Sequence, residues 1–291
     1  MRFAFLFVLL SYPTLAVGQQ PLQQQIRAIA ARAGGKASVA CSLPGTPLDC
    51  DLNPRAHPPM QSVFKLPLAL TILHQIEQGK FALDQLIPFQ SSDLILPKPL
   101  SPLQDEYPQA GVDVPLRELL RLTVTFSDNT AADMLLRLVG GPQVVVDYLA
   151  SLGITGIHLE DNEHALHRDH HLQYRNWFEP QAAVHLLRTL NDRSPLTSAN
   201  TASLLQWMTI RSGRLDGDLP PDTVVAHKAG TSFVDKGIAA ATNDIALITL
   251  SDGRRLAVAV FLTDSTADEP TRFQVIAEIG RAIYDAARNS P

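Results

Sequence analysis

Residues 60–70 read Met60-Gln61-Ser62-Val63-Phe64-Lys65-Leu66-Pro67-Leu68-Ala69-Leu70 and follow Pro58-Pro59, which ends whatever structure precedes them. The long apolar run after Ser62 predicts a helix that is buried in the core, and we place it over residues 61–78. The rest of the fold then has to cover this helix on several sides.

Two polar residues interrupt the apolar run, and their spacing suggests chemistry. Ser62 and Lys65 lie three positions apart, so they share one face of the predicted helix. A serine in a first turn is close to free backbone N–H groups, which can stabilise an oxyanion. A partly desolvated lysine beside it can accept the serine proton. The same pattern also fits an ordinary helix start with a surface lysine, so further evidence must come from elsewhere in the chain.

Composition limits the class of protein. The chain has 291 residues, of which 45% are hydrophobic and 18% charged, and this is typical of a globular protein with one or two domains. The formal net charge of -5 does not favour a nucleic acid or an anionic membrane as partner.

The first 18 residues have the pattern of a secretory signal peptide. Met1-Arg2 precedes the short apolar run 3–10, and Ala16-Val17-Gly18 offers small residues for cleavage before Gln19. The alternative is an uncleaved anchor, which the shortness of the run disfavours. We therefore expect a periplasmic or secreted protein without a membrane anchor.

The two cysteines, Cys41 and Cys50, flank a turn-rich connection centred on Gly45-Thr46. If residues 37–42 and 48–52 pair as a hairpin, the cysteines face each other, and an oxidising compartment then permits a disulfide. Two free thiols are the alternative. The sequence favours the bridge, as a local staple without a catalytic role.

Hydrophobic periodicity predicts an α/β (α+β) protein with one antiparallel sheet, flanking helices and a central all-helical lobe. The sheet is built from both chain ends, because the early hairpin is matched by late strands at 223–228, 237–250 and 255–263. Helices are predicted over residues 21–33, 61–78, 116–123, 131–139, 142–152, 179–190, 198–210 and 270–287. Residues 86–115 are expected to be mostly connection, with room for short helices.

This pattern divides the chain after the signal peptide into two lobes. Residues 19–58 and 215–291 are assigned to the sheet lobe, and residues 59–214 to the helical lobe. Within the helical lobe, residues 154–176 have no clear period and predict a long Ω-type loop. A loop of that length in a compact domain is usually functional.

Three further stretches carry residue types that could act with Ser62 and Lys65. Ser127-Asp128-Asn129 interrupts the helices with a hydroxyl and an amide, and Asn162-Glu163 places a carboxylate in the long loop. Lys228-Ala229-Gly230-Thr231 ends a predicted strand, where glycine lets a ligand approach the backbone closely.

The order and spacing of these stretches resemble the class A serine β-lactamases, with their Ser-x-x-Lys, Ser-Asp-Asn and Lys-Thr-Gly motifs. The resemblance covers nearly the whole mature chain and implies a fold like that of serine β-lactamases and penicillin-binding proteins. Three fragments are similar to the PER-type extended-spectrum branch, in which a histidine, here His167, replaces the usual loop asparagine: Asn162-Glu163-His164-Ala165-Leu166-His167, Gln173-Tyr174-Arg175-Asn176-Trp177 and His227-Lys228-Ala229-Gly230-Thr231-Ser232.

The resemblance implies hydrolysis of β-lactam antibiotics, penicillins and also cephalosporins, through an acyl-enzyme on Ser62. The backbone N–H groups of Ser62 and Thr231 would form the oxyanion hole, and Ser127 would pass a proton to the leaving nitrogen. Either Lys65 or Glu163, through a water, would deprotonate Ser62. Glu163 would then activate the hydrolytic water, with His167 supporting the loop.

The same resemblance implies a monomer that needs no cofactor and no metal. The substrate-binding residues that it implies are Asn129, Lys228, Gly230, Thr231, Ser232 and Arg214. One position departs from the family pattern, because Ala229 stands where the motif has threonine. That replacement removes a hydroxyl expected to bind the substrate carboxylate, which Thr231, Ser232 and Arg214 could compensate.

Two other interpretations remain open at this stage. The loop histidines could suggest zinc, but the cluster lacks cysteines or a well-placed carboxylate, and a polar loop is favoured: His158, His164, His167, His170 and His171. A penicillin-binding D-Ala-D-Ala peptidase or a non-turnover β-lactam sensor would share the nucleophile and the lysine. Neither would use Glu163 for deacylation, so rapid turnover would distinguish them.

Overall fold

The fold is built around one antiparallel sheet, as seen in a computed structural model that describes residues 21–290. Nine strands are present in that range: β1 Lys36–Ser42, β2 Leu86–Phe89, β3 Val112–Pro115, β4 Ile157–His158, β5 Trp177–Phe178, β6 Val225–Thr231, β7 Val234–Asp235, β8 Ile238–Thr249 and β9 Arg255–Ser265. Ten α-helices accompany them: α1 Leu22–Ala30, α2 Lys65–Glu77, α3 Pro102–Glu106, α4 Leu116–Thr125, α5 Asn129–Val139, α6 Pro142–Ser151, α7 Glu163–Arg168, α8 Pro180–Asp192, α9 Ser198–Met208 and α10 Glu269–Arg288.

The main sheet has the strand order β1-β9-β8-β6, with β7 added beside β8, and every pairing is antiparallel. Because β1 comes from the start of the chain and β6 to β9 come from its end, the sheet joins the two ends. The predicted α/β (α+β) class and the sheet built from both chain ends are thus confirmed.

Each face of the sheet packs into its own apolar core, as the alternation of side chains along a strand requires. Val258 and Val260 of β9 lie in a core with α1 and α10, whereas Ala259 and Phe261 lie in a second core with the central helices. The second core contains the whole length of α2, and its Leu66, Leu68 and Ile72 are fully buried. Each such side chain contributes about 1.5–3 kcal/mol through burial.

The helix predicted over residues 61–78 lies in the core as α2, but its start differs from the prediction. Gln61–Phe64 form a 3-10 turn, and the α-helix begins only at Lys65. Ser62 therefore lies in a tighter turn that leads into α2. Lys65 directly follows this turn as the first residue of α2, and its Nζ still reaches Ser62 Oγ.

Three further predictions of local structure need correction. Residues 48–52 do not form a strand, and only Leu52 pairs with β1, through Val39. Residues 86–115 contain the short helix α3, but they also contain the paired strands β2 and β3, which were not expected. The segment 154–176 is not free of regular structure, because α7 occupies its middle and β4 pairs with β5 at its ends. These strands of two to four residues are too short to give a clear period.

The cysteines form the predicted disulfide, Cys41–Cys50, although the second arm of the expected hairpin is irregular. The predicted signal peptide and its cleavage position near Gly18-Gln19 lie outside the described residues. Within residues 21–290, none of the helices combines the length and the hydropathy that crossing a bilayer would require.

Candidate active site

The turn that contains Ser62 packs against β6, the edge strand of the main sheet. A side chain at Gly230 of β6 would come within 2.7 Å of the Met60 oxygen and 3.0 Å of the Ser62 nitrogen, so only glycine permits this approach. From β8, the Asn243 amide donates to the backbone oxygens of Pro59 (2.8 Å) and Met60 (3.2 Å). The sheet and the turn that leads into α2 meet at this point, and the Ser62 nitrogen lies close to β6.

Lys65 is completely buried and connects the separate stretches of the site. Its Nζ lies 3.0 Å from Ser62 Oγ and donates to the backbone oxygen of Ser127 at 2.7 Å and to Asn129 Oδ1 at 2.6 Å. The same Nζ is 2.9 Å from Glu163 Oε1. A buried ammonium needs such partners, because leaving it unpaired would cost several kcal/mol.

The connection between α4 and α5 presents Ser127 and Asn129 to Lys65. Asp128 caps α5 through Ala131 N (2.8 Å) and accepts from Ser101 Oγ (2.8 Å) and Leu103 N (2.7 Å). Ser127 has a positive φ of 58°, which turns the chain sharply between the two helices. The buried Asp128 therefore fixes the backbone, while its neighbours point to the site.

Glu163 begins α7, and its carboxylate is buried beside Lys65. The Asp133 carboxylate of α5 accepts from Glu163 N and His164 N, each at 2.8 Å. Burial and the negative charge of Glu163 raise the pKa of Asp133 to about 7. The first turn of α7 is thus tied to α5, and this contact fixes where the Glu163 side chain starts.

The Lys228 ammonium reaches the site from β6 and donates to Ser127 Oγ at 3.0 Å. The Ser127 hydroxyl is 3.4 Å from Lys65 Nζ, so it lies between two lysines. Burial and the charge of Lys65 lower the pKa of Lys228 to about 7. The arrangement can hold a negative group and can relay a proton through Ser127.

Arg214 and the end of β6 form the opposite wall. Arg214 Nη2 donates to Thr231 Oγ1 at 2.8 Å, and its guanidinium lies 4.0 Å from the Phe273 ring centroid. The Ser232 hydroxyl accepts from Ala241 N at 3.0 Å and lines the cavity beside Thr231. Ala229 faces Asp244 across the sheet, in the same wall.

Two adjoining cavities of about 280 and 300 Å³ meet at Ser62, Leu100 and Thr231. The first extends toward Glu163 and the loop, and the second extends toward Ser127, Lys228 and Arg214. All of the sequence-predicted site residues, apart from the structural cysteines, line these cavities or contact a residue that does. Cys41 and Cys50 belong to the edge of the sheet.

His167 lines the first cavity, with its ring edge against Phe233 at 5.8 Å between centroids. Burial lowers the pKa of His167. Other contacts of the loop come from residues that sequence reasoning missed. Asn176 accepts from Glu160 N (2.9 Å) and Asp161 N (3.0 Å) and donates to the Asp161 oxygen (2.7 Å).

Asp133 was also missed, although the sequence carried a signal for it. It is an acidic residue within the apolar stretch Ala131-Ala132-Asp133-Met134-Leu135-Leu136, and a charged side chain in such a stretch is expected to have a specific polar partner. Asn243 interrupts an apolar strand, where a polar pair favours a hydrogen bond under the strand, and it makes that bond to Pro59 and Met60. For Asn176 no comparable local signal exists. Over residues 21–290, no group of three or more His, Cys, Asp or Glu side chains is arranged to hold a metal ion.

Comparisons with known proteins agree with this geometry. The model of the β-lactamase enzyme family matches residues 21–287. The extended-spectrum β-lactamase PER-1 of Pseudomonas aeruginosa is 40% identical over 273 residues, which cover 91% of this chain and 87% of that relative. The β-lactamase VEB-1 of the same organism is 38% identical over 240 residues, covering 80% of this chain and 79% of VEB-1.

Solved structures give the same result. A β-lactamase from Chitinophaga pinensis superposes with a TM-score of 0.85 at 41% identity, covering 91% of this chain and 99% of that one. The extended-spectrum β-lactamase TLA-1 gives 0.87 at 36% identity, covering 91% and 97%. The chain therefore belongs to the β-lactamase enzyme family and is a class A β-lactamase, a hydrolase of the β-lactam amide bond that gives antibiotic resistance.

Proposed function

We propose that Ser62 is the nucleophile of this hydrolysis and that the reaction passes through an acyl-enzyme. Ser62 Oγ attacks the lactam carbonyl carbon, and the N–H groups of Ser62 and Thr231 stabilise the oxyanion. Removing one donor of this kind typically costs about 3–4 kcal/mol of transition-state stabilisation. The closeness of β6 to the Ser62 turn supports this assignment.

In the acylation step the Ser62 proton leaves either to Lys65 directly or to Glu163 through a water. The C–N bond of the ring then breaks, and Ser127 passes a proton to the departing nitrogen. Ser127 can be reprotonated from the lysines on either side, since its hydroxyl lies 3.0 Å from Lys228 Nζ and 3.4 Å from Lys65 Nζ.

In the deacylation step Glu163 takes a proton from a water molecule, and the resulting hydroxide attacks the ester carbonyl. The bond to Ser62 Oγ breaks, and the serine recovers its proton. His167 lines the cavity beside Glu163 and supports the loop. The position of Glu163 supports this role, because its carboxylate lines the cavity that also contains Ser62 and lies 2.9 Å from Lys65 Nζ.

The substrate is held through its carboxylate and its side-chain amide. We assign the carboxylate to Lys228, Thr231, Ser232 and Arg214, and the amide to Asn129. Gly230 permits close approach of the β-lactam to β6. Cephalosporins are included among the substrates, as the extended-spectrum relatives PER-1 and TLA-1 suggest.

One observation carries the proposal: the buried Lys65 Nζ lies 3.0 Å from the Ser62 hydroxyl and 2.9 Å from the Glu163 carboxylate. A nucleophile, a proton acceptor and a base for water are thereby within reach of one β-lactam carbonyl. This carboxylate is what the peptidase and sensor alternatives lack.

The test is cephalosporin hydrolysis by the purified protein, with wild type, Glu163→Gln and the matched control Glu106→Gln compared by intact mass after mixing. Glu106 is an exposed carboxylate at the end of α3. We expect turnover in wild type and control, and an adduct on Ser62 that accumulates in Glu163→Gln. Acylation at the wild-type rate in Glu163→Gln would identify Lys65 as the acylation base, and slow acylation would identify Glu163.

Two outcomes would contradict the proposal. A lasting adduct in the wild type would mean a D-Ala-D-Ala peptidase or a sensor. Unimpaired turnover in Glu163→Gln would remove Glu163 from deacylation.

We further propose that the enzyme is a monomer that acts in the periplasm or outside the cell, without a membrane anchor. The Cys41–Cys50 disulfide supports an oxidising compartment. Intact mass of the native protein, which should begin near Gln19, checks export. Sedimentation at micromolar concentration checks the monomer, and a stable dimer would refute it.

A further inference from the structure

At the edge of the active site lies a buried histidine–aspartate pair, whose histidine precedes Lys228 on β6 and lines the second cavity. His227 of β6 and Asp244 of β8 are both buried, and Nδ1 of the ring is 2.8 Å from Asp244 Oδ1. The other ring nitrogen, Nε2, is 2.5 Å from the backbone oxygen of Ile210. Both ring nitrogens therefore have an oxygen partner.

The chemistry of these partners determines where protons lie. A backbone oxygen can only accept a hydrogen bond, and so can an ionised carboxylate. For both short contacts to be hydrogen bonds, the pair must hold two protons, which corresponds to an imidazolium beside a carboxylate. Despite burial, the negative charge of Asp244 and its hydrogen bond raise the pKa of His227.

The pair ties down the segment that carries Arg214, here called the Arg214 loop (residues 209–224). His227 holds its start at Ile210, and Asp244 Oδ2 accepts from Leu215 N at 3.2 Å. Within the Arg214 loop itself, the Asp216 carboxylate accepts from Arg214 N at 3.2 Å. The Arg214 loop is thus attached to the sheet on both sides of Arg214.

We propose that the His227–Asp244 pair is a positioning unit for recognition of the substrate carboxylate: in its doubly protonated form it holds the Arg214 loop against β6 and thereby sets Arg214 beside Thr231. His227 is assigned a positioning role, in which it acts through Arg214. This inference rests on the proposed role of Arg214 in carboxylate binding.

The direction of the pH dependence follows from the groups around the ring. The charges that act on the ring are those of Asp244 from β8 and Asp216 from the Arg214 loop. Arg214 and Lys228 interact with Asp244, and Arg272 of α10 interacts with Arg214. The raised pKa of His227 favours the doubly protonated ring that the two oxygen partners require. Above that pKa the ring keeps one proton, so either Ile210 loses its donor and the Arg214 loop loses one attachment, or the contact that fixes the His227 ring on Asp244 is lost.

The experiment compares wild type with His227→Gln and His227→Asn in steady-state hydrolysis of one cephalosporin between about pH 6 and pH 9.5. Glutamine keeps a donor for Ile210 and asparagine keeps a donor for Asp244, and neither titrates. We expect KM of the wild type to rise with pH, whereas both variants have a KM about tenfold higher at neutral pH, with kcat little changed. Lys228 remains in all three proteins, so its own titration is common to them.

Two controls sharpen the result. His185→Gln, at an exposed histidine of α8, should keep the wild-type pH profile. A cephalosporin with a methylated C4 carboxylate should show the same KM with wild type and variants. Nitrogen-15 spectra of the histidine rings, with the His227 signals assigned by their absence in His227→Gln, should show two protonated ring nitrogens at neutral pH.

Three results would overturn the inference alone: a neutral His227 ring at pH 7, KM profiles of the variants that coincide with wild type while hydrolysis persists, and a loss confined to kcat. Absence of hydrolysis in the wild type would instead refute the proposed function, on which the inference rests. If His227→Gln does not fold, His227→Asn and the wild-type spectra still decide the question.

Discussion

At the scale of single residues, Lys65 is the group on which the site depends most. It is fully buried, and its partners come from two other parts of the chain, the α4–α5 connection with Ser127 and Asn129 and the start of α7 with Glu163. Removing one partner of a buried charge pair is costly, because the remaining charge is left uncompensated. The network therefore works as a unit, and we expect substitutions within it to be far from additive.

The first prediction concerns Ala229, which replaces the usual threonine. Its neighbours in the wall include Lys228 and Thr231, and the latter accepts from Arg214 at 2.8 Å. Ala229→Thr should lower KM for penicillins about three- to tenfold, the size of one hydrogen bond, with kcat unchanged. Steady-state kinetics measure this.

Ala229→Val is the matched control, because valine has nearly the shape of threonine without the hydroxyl. A KM that falls equally in both variants would point to packing rather than to a hydrogen bond. Unchanged kinetics in Ala229→Thr would mean that Thr231, Ser232 and Arg214 already supply the missing contact.

At the scale of elements, the important contact is the one between α5 and α7. A helix of six residues has little stability of its own, so its position depends on outside contacts. Asp133 supplies two of them, through Glu163 N and His164 N. The general base is therefore located by a residue of another helix.

The second prediction is that Asp133→Asn slows deacylation about tenfold and acylation less. Asparagine offers one oxygen, and its NH2 group would face one of the two backbone N–H donors, so the first turn of α7 must shift. Intact mass during turnover should show a larger fraction of acyl-enzyme than in wild type. Asp147→Asn, at an exposed aspartate of α6, is the control. An unchanged acyl-enzyme fraction in Asp133→Asn would contradict the positioning role.

At the scale of the whole molecule, the two apolar cores serve different purposes. In the core on one side of the sheet, α1 from the start of the chain packs with α10 from its end. The core on the other side holds α2 and so supports the Ser62 turn. The division into lobes at residues 58/59 and 214/215 stays a prediction.

The third prediction uses the disulfide, which lies at the edge of the sheet. Cys41 and Cys50 are nine positions apart, and closing a loop of this size restricts the unfolded chain by about 2–3 kcal/mol. Replacing both by alanine should lower Tm by about 5–10 °C. The kcat should stay unchanged, because neither cysteine lines the cavities. Calorimetry and kinetics on the same samples check this, and an equal Tm in reduced wild type and the double variant is expected.

An unchanged Tm would show that the bridge does not constrain the unfolded chain in this way. A loss of kcat would show that the edge of the sheet is coupled to the site.

Much of this protein could be determined from its sequence alone. The long helices and strands follow from local periodicity, and the sheet from both chain ends follows from the order of those elements. The residue types at Ser62, Lys65, Ser127 and Glu163 indicated the chemistry, because each stretch carries its functional group within a few residues. The family resemblance combined them into one site.

Other features were decided only by the tertiary structure. Strands β2 and β3 are four residues each, and their stability comes from pairing with each other across 22 intervening residues, which no local pattern reports. The supports of the site, among them Asp133, Asn176 and Asn243, make contacts between segments distant in sequence. The His227–Asp244 pair belongs to the same class. A hydrogen bond depends on distance and direction in space, and the sequence fixes these only once the whole chain has folded.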